Sequence, residues 1–105
     1  MKDEIRCWLK QQFGDDEALF AELYSQYRAD MVAGVEELNA LVKGTDPKAM
    51  RQKAHALKGV ALLIGDKAAA DICLELQKLG DAGTFAGADA VLASLTKLVN
   101  ALDPQ

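Results

Sequence analysis

His55 is the sole histidine in this 105-residue chain, and the residues around it suit an imidazole acting as a nucleophile. A neutral imidazole keeps a nitrogen lone pair near neutral pH and can accept a phosphoryl group. Lys58 stands three residues on, within reach on the same helical surface, where its ammonium would balance added negative charge. Gly59 comes one full turn after His55 and presents no side chain to an incoming molecule. The same neighbourhood makes a poor metal site. There is no second histidine, and Cys7 and Cys73 lie far apart without spaced companions. No Ser/His/Asp set and no glycine-rich phosphate loop occurs, so ATP is not expected as a direct phosphoryl source.

The residues that position His55 belong to a helix. Thr45-Asp46-Pro47 is a start signal, a capping side chain followed by proline at the first helical position. The helix is predicted to run to about Ile64 and stop at Gly65. Met50, Ala54, Leu57, Ala61 and Ile64 step by four and three residues, the seam of a bundle helix. With ~100° per residue, His55 points about 140° from that seam and Gly59 lies nearly opposite it. Leu62 continues the outer strip one turn later, Leu63 flanks it, and Lys48, Arg51 and Lys58 border it. Glycine in a helix interior costs about 0.8–1 kcal/mol relative to alanine, and outward leucines meet water unless a partner covers them. The strip reads as a docking face, with Lys48, Arg51, Gln52, Leu62 and Leu63 as candidate partner-binding residues.

The rest of the chain supplies helices to pack against that seam. Half of the residues are hydrophobic and only 6% aromatic, with alanine and leucine dominant, which favours helix over strand. A first helix from about Lys2 to Phe13 ends at Gly14, and Asp15 and Asp16 cap a second stretch. That stretch carries Leu19, Phe20, Leu23, Tyr24 and Tyr27, then Met31, Val35, Leu38, Leu41 and Val42 up to Gly44. The pattern breaks or rotates near Ala29-Asp30, so residues 15–43 fit one helix or two. Asp66 caps a helix carrying Ala69, Ile72, Cys73, Leu76 and Leu79, ending at Gly80. After a turn at Asp81–Thr84, with Thr84 a candidate cap, the last helix carries Val91, Leu92, Leu95, Leu98, Val99 and Leu102 and ends before Pro104. Short loops make neighbouring helices antiparallel. The expected fold is all-α: an antiparallel up-down four-helix bundle with one or two additional N-terminal helices, forming a single domain over residues 1–105.

Composition removes several classes of function. A net charge of -4 without a Lys/Arg run argues against nucleic-acid binding. The longest apolar run, Val60–Ile64, is too short to cross a membrane, and the acidic start lacks a secretory pattern. Cys7 and Cys73 read as reduced core thiols of a cytoplasmic protein, and Cys7, Trp8, Tyr24 and Tyr27 as packing residues.

The run Ala54-His55-Ala56-Leu57-Lys58-Gly59, followed by Gly65, resembles the His-x-Leu-Lys-Gly signature of histidine-containing phosphotransfer (HPt) domains of two-component phosphorelays. The resemblance extends from about Asp16 through Leu79 and is clearest between Met50 and Leu76. It implies a helical bundle that relays phosphoryl groups between aspartates of receiver domains. His55 would be the phosphoacceptor, Lys58 the charge partner and Gly59 the access residue. The implied partners are receiver domains of a hybrid sensor kinase and of a response regulator, with Mg²⁺ held by those receivers and the carrier itself monomeric and without a cofactor. The chain departs from the family pattern at Leu63, where a polar residue such as asparagine is common. It departs again at Val60-Ala61, where small hydroxyl residues are usual, and both changes bear on partner preference. The competing reading is a non-phosphorylated helical adaptor that binds a partner through the Leu62/Leu63 face.

Overall fold

Residues 1–103 are described by a computed structural model, and among them five helices and no strands occur. They are α1 (Asp3–Phe13), α2 (Glu17–Leu41), α3 (Pro47–Leu63), α4 (Lys67–Asp81) and α5 (Ala88–Asn100). Three of the five begin as the sequence indicates. Asp16 accepts from the Leu19 amide at 3.0 Å, Asp46 from the Lys48 amide at 3.0 Å, and Asp66 from the Ala69 amide at 3.3 Å. Gly14 and Gly65 take φ of 73° and 78° at the turns closing α1 and α3, a region open to glycine but costly for other residues.

The helices α2 to α5 form an antiparallel four-helix bundle. Glu37 of α2 pairs with Lys53 of α3 at 2.9 Å, and Arg51 of α3 pairs with Asp81 of α4. Arg28 of α2 reaches the Leu102 carbonyl, just past α5, at 3.3 Å. The closest packing is between α3 and α4, whose buried faces include Ala54, Ala61, Ala69, Ala70 and Gly80. Small side chains let two backbones approach. All five seam residues of α3 are buried, so the wheel placed the helix correctly.

The second stretch is one helix. Neither Ala29 nor Asp30 breaks it, and Tyr27, Met31, Val35 and Leu38 stay buried along one turning stripe. Gly34 is tolerated inside α2 because the Leu57 side chain fills its place: an added Cβ would lie 2.5 Å from a Leu57 methyl.

The helix α1 lies over the α3–α4 turn. Ile5 and Leu9 are buried, the Trp8 indole donates to the Leu63 carbonyl at 3.1 Å, and Arg6 pairs with Glu17 at 2.6 Å. Lys2 reaches Asp66 at 3.3 Å. Asp66 is wholly buried and also accepts from the Tyr27 hydroxyl at 2.7 Å. Burial, reinforced by the Asp66 charge, raises the Tyr27 hydroxyl pKa; the same two causes lift the Cys73 thiol to about 11.

Four local expectations are corrected. Cys7 is exposed rather than a core thiol, because it lies on the outer side of α1 from Ile5 and Leu9. Gly80 is inside the last turn of α4, not beyond it. Thr84 does not cap α5; its hydroxyl accepts from the Ala86 amide in the preceding turn, and Gly87 occupies the cap position. The last helix ends at Asn100, and Leu102 is buried outside it; Pro104 lies outside the described residues.

Candidate functional site

The capped start of α3 and its buried seam together fix the rotation of the helix, and that rotation leaves His55 exposed at mid-helix. Across the α3–α4 interface, the half-buried Gln77 presents its side-chain carbonyl to His55 Nδ1 at 3.1 Å. A carbonyl oxygen accepts, so Nδ1 carries the proton and donates. Nε2 is then the ring nitrogen with the lone pair. A neutral imidazole oriented this way is a nucleophile that needs no proton removed before it attacks.

The surroundings of the ring are open on one side and cationic on another. A Cβ built on Gly59 would meet nothing within 4 Å, so the surface one turn from His55 is clear. Lys58 is half-buried, and no carboxylate among the described residues lies within ion-pairing distance of it. Its ammonium is therefore uncommitted, in contrast to Arg51 and Lys53, which are held by Asp81 and Glu37. Lys48 and Gln52 are exposed on the turns before His55.

Leu62 and Leu63 are 51% and 79% exposed, as the wheel requires, but they do not share one surface. Leu62 continues the His55–Gly59 strip and borders a groove of about 430 Å³ with Trp8, Cys7 and Gly65. Leu63 borders a separate groove of about 320 Å³ with Phe13 and Leu23, on the α2 side. Among the described residues, no group of three or more His, Cys, Asp or Glu side chains is placed to hold a metal ion. No helix there is long and apolar enough to cross a membrane.

Gln77 is the site residue that sequence reasoning misses. Between Leu76 and Lys78 it looks like any polar residue at a helix surface. Its signal is pairing across the turn: His55 lies ten residues before Gly65 and Gln77 twelve after it, so an antiparallel hairpin of helices sets them side by side.

The Hpt domain family model matches residues 22–105, a span that holds His55, Lys58, Gly59 and Gln77 and omits α1. The chain belongs to the Hpt domain family, whose members are helical bundles that carry phosphoryl groups in phosphorelays and exchange them with receiver domains. No curated protein and no solved structure matches it.

Proposed function

We propose that this chain is a phosphocarrier in which His55 accepts a phosphoryl group from a receiver-domain aspartyl phosphate and passes it to the aspartate of a second receiver. The observation that carries this reading is the exposed His55 ring, tethered at Nδ1 by Gln77 beside the open surface of Gly59.

In the forward step the Nε2 lone pair forms the N–P bond as the aspartate O–P bond breaks, and the carboxylate leaves with the bonding electrons. The proton stays on Nδ1 throughout, where the Gln77 carbonyl supports the positive charge that develops on the ring. The Lys58 ammonium offsets the negative charge arriving on the phosphoryl oxygens. The return step is the same path reversed, toward whichever receiver is docked. Mg²⁺ belongs to the receivers in this scheme and supplies charge neutralisation at their aspartates. The receiver covers the strip from Gln52 through Gly59 to Leu62, with Lys48 and Arg51 at one rim and Leu63 at the other. The carrier works as a cytoplasmic monomer, residues 1–105 acting as one domain.

The test is incubation with a panel of phosphorylated receivers, followed by mass spectrometry. Label is expected on His55 alone, labile in acid and stable in alkali, and absent from a His55→Gln variant. Label that survives acid would overturn the assignment to His55, and a His55→Gln protein that keeps its biological function would favour the adaptor reading.

A further inference from the structure

Gly80 is a second interior glycine near the site, and its surroundings are the opposite of those at Gly59. A Cβ on Gly80 would lie 2.4 Å from the Arg51 Cβ, 2.8 Å from the Pro47 carbonyl oxygen and 2.9 Å from the Arg51 Cα. Two of these three atoms are backbone and the third is bonded directly to it, so none can swing aside. Gly80 does not adopt positive φ, so backbone freedom does not explain it, and glycine is a poor residue for a helix interior. What glycine provides here is proximity: it lets the last turns of α4 rest on the first turns of α3. The Arg51–Asp81 pair fastens the same level of the two helices.

We propose that Gly80 is a positioning residue for His55, acting through Gln77. Gln77 lies three residues before Gly80 on α4, and His55 four residues after Arg51 on α3, so the contact at Gly80 sets the helix spacing one turn from the His55–Gln77 pair. Ordinary carbon contacts begin near ~3.5 Å, so a side chain at position 80 would drive α4 back by on the order of 1 Å. The Nδ1–Oε1 distance is 3.1 Å, already toward the long end of the normal range, and that retreat would open it beyond hydrogen-bonding reach. Nδ1 would lose its fixed proton, and Nε2 would spend part of its time protonated and unreactive. This inference rests on the reading of His55 as nucleophile but is tested apart from it.

The experiment compares wild type, Gly80→Ala, Gln77→Leu and the double variant. With one histidine in the chain, ¹⁵N shifts of the ring in alkaline solution report its tautomer without assignment, and transfer from a phosphorylated receiver is timed in parallel. Wild type should hold the proton on Nδ1. Gly80→Ala should shift the ring toward the Nε2–H form and slow transfer about fivefold, the worth of one neutral hydrogen bond. The double variant should match Gln77→Leu in both readouts. A Gly80→Ala protein that is destabilised yet keeps the wild-type tautomer would overturn the proposal, as would slowing that adds to that of Gln77→Leu. If Gly80→Ala is unfolded in buffer, the tautomer is read in sucrose, which favours the compact state, with the same criteria. A wild-type ring lacking the Nδ1 proton would sink the His55–Gln77 pairing itself and Gly80's role with it.

Discussion

Two of the polar contacts that tie α4 to its neighbours, one at its first turn and one further along, are completed to different degrees. At the first turn both oxygens of Asp66 are engaged: one accepts from the Ala69 amide and Lys2, the other from Tyr27 and Lys2. The cluster joins α1, α2 and α4 out of contact with solvent at its centre. Further along, Gln77 engages a single nitrogen of His55, and the ring itself faces solvent. A buried polar group with every partner present specifies a fold. A polar group deliberately half-satisfied at the surface keeps a reactive atom available. With His55 as the proposed phosphoacceptor, the same helix carries an anchor and one half of a reactive pair.

That division can be broken by substitution. Asp66→Ala should have the largest effect on stability, about 3 kcal/mol, from a lost helix cap and a lost hydrogen bond between Tyr27 and a charged acceptor. The melting temperature should fall by about 15 °C, while transfer through His55, measured well below the transition, stays within about twofold of wild type. Transfer lost with the fold intact would mean that the anchor and the site are not separable.

Leu62→Glu should act the other way, weakening receiver binding by about 1–3 kcal/mol through lost apolar contact and a desolvated charge. With half of Leu62 already exposed, the melting temperature should hardly move. Calorimetric titration with a receiver and a thermal melt together decide it: a large drop in stability would make Leu62 a packing residue. Gly59→Gln costs the fold nothing: it is expected to stabilise α3 by up to about 1 kcal/mol while slowing transfer, because its side chain would occupy the clear surface beside His55. Transfer at the wild-type rate would remove Gly59 from the site.

Local patterns were the readable part of the fold. The α3 seam, the caps at Asp16, Asp46 and Asp66, and the outward placement of His55 and Leu62 each depend on residues within a few turns of one another. What stayed hidden spans the chain. Asp66 could be read as a cap, but its ties to Tyr27 and Lys2 cross 39 and 64 residues. The Ala29-Asp30 ambiguity was settled by packing, since a stripe that rotates around a long helix looks like a break until its partners are known. Gly80 resembled a helix terminator because its reason for being glycine, the nearby α3 backbone, belongs to another element. Gln77 was concealed in the same way.

Trp8 is the sole tryptophan in the chain, and it lies over Gly65 beside Leu62, its indole hydrogen-bonded to the end of α3 and its surface 36% exposed. The protein thus carries an intrinsic fluorophore at the end of the strip that leads from His55. A receiver settling over Leu62 would dry the indole and shift its emission to the blue, whereas release of α1 would wet it and shift the emission to the red. Encounter and undocking could then be followed by stopped-flow optics on unlabelled protein, separately from any phosphoryl chemistry.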